Sequence, residues 1–146
     1  MSATHAQVVA QARTWLDTPF HHQARVKGLG VDCAGLVIGV ARELDLVAPD
    51  FDVSAYPRTP DGTSLMAYCR EHMVELPAGA AKVPGQVVVV RFDLDPQHMG
   101  ILGDYRHGGL SIIHAAARSG RVIETRLMYS QAMQFVRAFA IPGVEG

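Results

Sequence analysis

Apolar residues recur every three or four positions over the first half of the chain, and this period predicts amphipathic helices. The first helix ends at the Asp-Thr-Pro sequence of residues 17–19, and one of its faces carries Val8, Ala12, Trp15 and Leu16. After a glycine-bearing loop the period returns in a second helix, whose apolar face consists of Cys33, Leu36, Val37, Val40, Ala41 and Leu44. Asp32 is the expected N-cap of this helix, so Cys33 is predicted in its first turn.

From Pro84 onward the pattern changes to that of strands. A third helix precedes this change; it is predicted to start at Asp61 and to turn inward Leu65, Met66, Cys69, His72 and Met73. Short β-branched runs bounded by turns then predict strands at 85–92, 98–105, 110–117, 120–127 and 134–141, with a short helical turn near Ser130. This order predicts an α+β fold, with N-terminal helices packed on a central antiparallel sheet. The length suits a single domain, 1–146.

The composition and the net charge of the chain limit the classes of function that it can have. Hydrophobic residues make up 49% of the chain and charged residues 18%, which is typical of a folded globular protein. The net charge of −1, without a basic stripe, argues against a nucleic-acid binder. No apolar run approaches the ~20 residues of a transmembrane helix. The first residues lack the basic and apolar regions of a signal peptide, so synthesis in the cytoplasm without a signal peptide is expected.

The two cysteines invite opposite interpretations. At a helix start, unpaired N–H groups and the helix dipole favour an anion, so a lowered thiol pKa is predicted for Cys33. The alternative is that Cys33 is a small buried apolar residue, as free cysteines commonly are. Cys69 fits this second description, because it lies within a helix and shares its spacing with Leu65, Met66 and Met73.

A nucleophilic cysteine needs a base, and histidines are available for that role. His98 opens one predicted strand and His114 lies within the next, so a hairpin would make the two imidazoles cross-strand neighbours. His98 would then take the proton of Cys33, and His114 would hold His98 in the useful tautomer. His21 and His22 are adjacent, and adjacent residues rarely bind one metal ion, so no metal site is predicted. One of them is a candidate for lining a substrate cleft, and the alternative is a solvent-exposed loop histidine.

Three segments, taken in order, resemble those of a known family. They are Gly-Val-Asp-Cys-Ala-Gly-Leu-Val at residues 30–37, His-Met-Gly-Ile-Leu-Gly-Asp at 98–104 and Ile-Ile-His-Ala-Ala-Ala-Arg-Ser-Gly at 112–120. They are similar to the landmark segments of the NlpC/P60 cysteine peptidases. Residues 18–36 further resemble the phage-tail branch of that family, the phage cell-wall peptidases. The likeness runs from about Ala12 to Arg137.

This resemblance implies a papain-like fold and the hydrolysis of peptide bonds in peptidoglycan stem peptides, of the γ-D-glutamyl-diamino acid type. Cys33 matches the family's nucleophile, His98 the general base and His114 the residue that orients the base. An acyl-enzyme route of this kind requires no metal or cofactor. The implied partners are stem peptides and phage tail proteins, and the implied place of action is the periplasm or cell wall after assembly into a tail.

Departures from the family pattern affect the expected substrate-binding residues, which are Phe20, His21, Asp32 and Ala34. The family usually has Tyr where this chain has Phe20, so its hydroxyl donor is missing. Ala34 replaces the family's Ser, while Asp32 is kept, and in many members that Asp–Ser pair helps to bind a free amino end. The connection between His98 and His114 is longer than usual, so the two rings meet only if the hairpin register allows it.

Other functions remain open on these residues. Phe20 and Ala34 also suit a catalytically weak or silent tail component that binds cell wall or neighbouring virion proteins. A third option uses the same Cys–His pair for acyl transfer, or for amide hydrolysis on a substrate outside the wall.

Overall fold

The helices lie in the first half of the chain and the long strands in the second half, as a computed structural model shows for residues 2–54, 56–57, 63–92, 98–129 and 133–146. Within these residues the helices are α1 (His5–Arg13), α2 (Cys33–Glu43) and α3 (Ser64–His72). The strands are β1 (Ala3–Thr4), β2 (Arg25–Val26), β3 (Gly30–Val31), β4 (Val74–Glu75), β5 (Val87–Phe92), β6 (His98–Asp104), β7 (Leu110–Ala116), β8 (Arg121–Arg126), β9 (Met133–Ala140) and β10 (Val144–Glu145).

The central sheet is antiparallel throughout. In the described part of the chain it has six strands in the order β4-β9-β5-β6-β7-β8. Two small sheets accompany it, the parallel pair β1–β10 and the antiparallel pair β2–β3. Strands β5 to β8 pair with one another in chain order, so they form a meander. The predicted α+β fold with a central antiparallel sheet is confirmed.

The main core lies between the helices and one face of this sheet. Helix α2 is buried over almost its whole length, because residues Ala34–Ala41 are all apolar or glycine. Val87, Val89 and Ile101 contribute the sheet side of that core. The alternate residues of the same strands face the other side, where Val88, Val90, Leu102 and Ile112 form a second, smaller cluster. Helix α2 is therefore held against the middle of the sheet, and its first turn is held there with it.

Two predicted core positions are wrong. Leu16 was expected on the buried face of the first helix, but α1 ends at Arg13 and Leu16 is 37% exposed. The turn after α1 changes the direction of the chain, so the helical period no longer applies at Leu16. His72 was expected to turn inward; it is exposed at the end of α3 and contacts Phe51 edge-on. The predicted helix start at Asp61 and the turn near Ser130 lie outside the described residues.

Within the described ranges, the structure contains no helix whose length and apolar character would let it cross a membrane.

Candidate active site

Cys33 lies at the first residue of α2, as predicted. Asp32 is the N-cap, and its Oδ1 accepts a hydrogen bond from the backbone N–H of Gly35 at 2.8 Å. The carbonyl of Asp32 accepts from Leu36 N–H at 3.0 Å. These bonds fix the direction of the helix start, because the cap occupies N–H groups that would otherwise lack a partner. Cys33 itself is half-buried against the main core at this end of the helix.

The two predicted histidines meet across the β6–β7 hairpin. His98 Nε2 lies 2.7 Å from His114 Nδ1, and both residues are buried. Strands β6 and β7 are paired only from Ile101–Ile113 to Asp104–Leu110, so beyond that point the strands separate. The hydrogen-bonded rings therefore occupy the place where the hairpin opens. Although the connection between the two histidines is long, the register of the β6–β7 hairpin still brings their rings into contact.

Cys33 lies beside the start of β6. The backbone at Met99, the residue directly after His98, and the backbone at Ala34 both act to lower the pKa of its thiol. Helix α2 packs on β6 and β7, which brings the helix start to the opening of the hairpin. The fold thus collects Cys33, His98 and His114 from one helix and two strands into one region.

The thiol pKa differs from the sequence prediction, which was wrong on this point. Burial and the negative charge of Asp32 raise the pKa of Cys33 to about 12, although backbone hydrogen bonds at Met99 and Ala34 favour the thiolate. The helix start alone predicts a lowered pKa. That argument omitted burial, and it omitted the carboxylate of the N-cap Asp32, whose negative charge disfavours a second one on the Cys33 sulfur. In the free protein Cys33 is therefore a neutral thiol.

Both histidines are neutral as well. Burial, together with His114, lowers the pKa of His98 to about 3, and burial lowers the pKa of His114 to about 4. A neutral imidazole carries one N–H, so the bond between the rings has one donor and one acceptor. In the tautomer where His98 Nε2 donates to His114 Nδ1, the other nitrogen of His98, Nδ1, holds a lone pair. That tautomer is the one a general base needs.

Asp32 is fully engaged with the protein. Among the described residues it accepts hydrogen bonds from Gly35 N and Arg25 Nη1 at Oδ1, both at 2.8 Å. At Oδ2 it accepts from Gln23 N at 2.7 Å and from the Tyr56 hydroxyl at 2.6 Å. A carboxylate offers about four acceptor positions, and these four bonds fill them. A substrate amine would have to displace one of these donors before it could bind Asp32.

Sequence reasoning missed Arg25 and Tyr56, which connect the helix start to the loop after α2. Arg25 is 9% exposed at its side chain and pairs with Asp32 at 2.8 Å and with Asp52 at 2.9 Å. It also donates to the Tyr56 hydroxyl at 2.5 Å and to the carbonyl of Val53 at 2.9 Å. Burial and the bond to Asp32 raise the pKa of Tyr56, so this hydroxyl stays protonated. Only the fold brings residues 25, 32 and 56 together, and their spacing contains no motif.

The other predicted substrate-binding residues surround the helix start to different degrees. Phe20 is half-buried against the main core, and its backbone bridges to Val31 next to the cap. His21 is exposed, and its N–H donates to the Val31 carbonyl at 3.0 Å. Ala34 is buried in the first turn of α2. Within the described residues, His, Cys, Asp and Glu form no group of three or more that could hold a metal ion.

Several solved structures have a fold similar to that of this chain. NlpC2 from Trichomonas vaginalis superposes with a TM-score of 0.68 and 16% identity, over 97% of this chain and 48% of the NlpC2 chain. The NlpC/p60 domain of the peptidoglycan hydrolase SagA superposes with a TM-score of 0.61 and 18% identity, over 95% of this chain and 100% of that domain. An N-acetylmuramoyl-L-alanine amidase from Bacteroides uniformis superposes with a TM-score of 0.56 and 12% identity, over 94% of this chain and 98% of the amidase chain.

These likenesses show that the chain has the NlpC/P60 fold, as the three sequence segments predicted. The chain spans about half the length of the Trichomonas protein. It matches no family profile and no curated protein sequence.

Proposed function

We propose that this chain, which has the NlpC/P60 fold, is a cysteine peptidase that hydrolyses stem peptides of bacterial peptidoglycan. The observation that carries the proposal is the 2.7 Å contact between His98 and His114 at the start of β6, where the backbone of Met99 acts on the pKa of the Cys33 thiol. A cysteine, a base and a residue that orients the base are the minimum set for acyl-enzyme catalysis. The similar SagA domain comes from a peptidoglycan hydrolase, which supports this class of substrate.

In the proposed mechanism the proton moves as the bond forms. The thiol pKa of about 12 and the His98 pKa of about 3 disfavour a resting thiolate–imidazolium pair. His98 Nδ1 therefore takes the thiol proton while the sulfur attacks the carbonyl. His114 Nδ1 accepts the remaining N–H of the imidazolium and stabilises its charge. His98 then gives the proton to the leaving amine, and water hydrolyses the thioester with His98 again as the base.

In this proposal a backbone N–H group stabilises the oxyanion. Phe20 has no hydroxyl, and the Tyr56 hydroxyl already donates to Asp32. The N–H of Cys33 lies at the N-terminus of α2, where the helix dipole favours negative charge. We therefore expect this N–H to face the developing oxyanion. A missing side-chain donor costs on the order of 10²–10³ in rate, so a modest turnover is expected.

Substrate contacts are proposed at the residues around the helix start. Phe20 and Ala34 would form the apolar floor beside the nucleophile, and the exposed His21 would contact the polar part of the peptide. Asp32 would not contact the substrate directly, because its acceptor positions are filled. It would instead fix the direction of α2. Association with phage tail proteins, and action in the periplasm or cell wall, remain part of the proposal.

The test is product analysis on purified sacculi and on a γ-D-glutamyl-diamino acid peptide. New amine ends are expected with the unmodified chain and a loss of at least about 10³-fold with Cys33→Ala. Cys69→Ala is the matched control, because Cys69 is the other cysteine, is buried within α3, and is not part of the proposed Cys–His–His set, so this variant should leave the rate within a few-fold. His114→Gln should lower kcat more than it raises KM. If the unmodified chain releases no amine ends from either substrate, the proposed activity is wrong.

A catalytically silent wall-binding protein is the second candidate, and the high thiol pKa favours it. Sedimentation with sacculi separates the two. A silent module binds sacculi equally well as the unmodified chain and as Cys33→Ala, and neither protein releases amine ends.

A further inference from the structure

Arg25 of β2 is bound to the start of α2 and to the loop after that helix. Its guanidinium has five N–H donors, and the structure provides an acceptor for each of them. The acceptors, at 2.5–3.0 Å, are the carboxylates of Asp32 and Asp52, the carbonyls of Ala24 and Val53, and the Tyr56 hydroxyl. A side chain that is 9% exposed and paired in this way is held in one orientation. The position of its charge relative to the helix start is therefore defined.

Glycine at position 35 lets this guanidinium lie against the first turn of α2. A Cβ at Gly35 would come within 2.8 Å of Arg25 Nη1 and 2.6 Å of the Ala24 carbonyl oxygen, closer than such atoms normally approach. Helix propensity disfavours glycine within a helix, so the contact with Arg25 opposes the local preference. The positive charge thus lies on the helical turn that begins with Cys33.

Neither the helix dipole nor the stability of the fold accounts for a cation at this position. The N-terminus of a helix carries a partial positive charge, so a cation alone is unfavourable there. A buried ion pair adds little net stability, because the desolvation of both charges offsets their attraction. The pair does change the charge beside the nucleophile. Asp32 alone would leave a full negative charge one residue before Cys33, and Arg25 offsets that charge from 2.8 Å.

The electrostatics of the thiol follow this arrangement. Burial and the negative charge of Asp32 raise the pKa of Cys33, whereas the positive charge of Arg25 lowers it. Asp52, the other carboxylate on Arg25, is more exposed and also lies 3.9 Å from Arg42, so a second cation offsets its charge. Arg25 and Asp32 therefore act on Cys33 with opposite signs.

We propose that Arg25 is a positioning residue for the nucleophile: it holds Asp32 in place as the N-cap and offsets its charge, so that negative charge can develop on the Cys33 sulfur during attack. The inference rests on the proposed function, because it takes Cys33 as the nucleophile. It adds to that function a residue that touches neither the substrate nor the reacting atoms and still makes the thiol more reactive.

The other titratable groups of the elements packed around the helix start keep one protonation state at pH 8–9. Burial raises the pKa of Cys69 in α3 to about 12, and burial lowers the pKa values of His98 and His114 to about 3 and about 4. Burial and the bond to Asp32 raise the pKa of Tyr56, so its hydroxyl stays protonated. A change in Cys33 reactivity in this pH range therefore reports the charges that a substitution removes.

The experiment measures the reactivity of Cys33 in the full chain at pH 8–9. Methyl methanethiosulfonate labels the thiol, and mass spectrometry follows the labelling of the peptide that contains Cys33. Arg25→Gln should react about three- to tenfold more slowly. The thiolate fraction falls about tenfold for each unit by which the pKa rises, and a higher nucleophilicity of the remaining thiolate offsets part of that loss. Arg25→Lys keeps the charge without the full set of hydrogen bonds, and it should retain most of the rate.

Removal of the opposing charge gives the reverse result. Asp32→Asn keeps a side chain that caps helices well, and it should raise the labelling rate of Cys33. In the double variant with Arg25→Gln, it should restore the rate at least to that of the unmodified chain. Arg42→Gln is the matched control, because Arg42 binds the Phe51 carbonyl of the same loop but lies at the other end of α2. That variant should label at the unmodified rate.

Labelling of the buried Cys69 in the same samples reports whether a substitution has opened the core. If Arg25→Gln does not fold, Asp32→Asn alone decides, and a rate that does not rise overturns the inference. Equal rates for Arg25→Gln and the unmodified chain overturn it, and so do equal losses in Arg25→Gln and Arg25→Lys. The expected labelling rates, together with no release of amine ends by the unmodified chain, would overturn only the proposed function.

Discussion

At the residue scale, a missing side chain permits the contact between the two histidines. Gly100 lies between His98 and the point where β6 and β7 begin to pair. A Cβ at Gly100 would come within 2.7 Å of Ile112 Cγ1 and 3.0 Å of His114 Cβ, closer than such atoms normally approach. Glycine at this position therefore lets the His114 side chain lie across β6 and reach Nε2 of His98.

We expect Gly100→Ala to separate the two rings. The forced shift of Ile112 and His114 should cost about 1–3 kcal/mol of stability, as overpacking usually does. It should also lower kcat/KM at least about tenfold, because in the proposed mechanism His98 loses the residue that orients it. Denaturant unfolding and the peptide assay measure both effects. Gly79→Ala is the control, since a Cβ there meets nothing within 4 Å. Equal activity of Gly100→Ala and the unmodified chain would contradict this role.

At the element scale, the approach of α1's C-terminal turn to α2 depends on another glycine. A Cβ at Gly39 would lie 2.6 Å from Cη2 of Trp15, so the indole ring packs directly on the helix backbone. The indole N–H of Trp15 donates to Glu43 Oε1 at 2.6 Å, one helical turn further along. Helix propensity alone disfavours glycine within a helix. Tertiary contact outweighs that preference here.

The prediction for Gly39→Ala therefore runs against helix propensity. Alanine adds about 1 kcal/mol of helix propensity, but the clash with Trp15 should produce a net loss of about 1–3 kcal/mol. Chemical denaturation with tryptophan fluorescence reports both the stability and the displaced indole. Ala10→Gly on the exposed face of α1 calibrates the propensity scale, and it should cost about 1 kcal/mol. A more stable Gly39→Ala protein would show that the ring moves without cost.

At the scale of the whole molecule, the buried histidine pair links stability to pH. The folded-state pKa values of about 3 for His98 and about 4 for His114 lie below the ordinary value of 6.5. As the pH falls, the unfolded chain binds protons at these residues before the folded chain does. Their contribution is therefore complete above about pH 6.5 and is lost as the pH falls toward the folded-state values.

Between pH 7 and pH 5 this linkage should remove about 2 kcal/mol of unfolding free energy for each of the two histidines. Urea unfolding at the two pH values measures the difference. His114→Gln should reduce the loss by about half, whereas His107→Gln, at an exposed position, should leave it unchanged. The same unfolding free energy at pH 5 and pH 7 would contradict the depressed pKa values.

Local pattern was sufficient for the helix that begins at Cys33 and for the longer strands. The helical period ends and begins at chemical signals that act over a few residues, so the start of α2 at Cys33 and its cap at Asp32 could be predicted. Alternation and turn residues likewise predicted strands β5 to β9, and the three sequence segments predicted the NlpC/P60 fold. Local preference failed where the chain changes direction, as at Leu16.

The electrostatics of the site, in contrast, depend on tertiary structure. Burial and the charge of Asp32 raise the pKa of Cys33, although its sequence position favours a thiolate. Arg25 and Tyr56 fill the acceptor positions of Asp32 from segments 7 and 24 residues away, as their hydrogen bonds record. Desolvation and charge pairing depend on which groups lie close in space, and the sequence by itself does not specify that proximity. The sequence alone therefore determined the elements and the candidate nucleophile, and only the folded structure decided the protonation states.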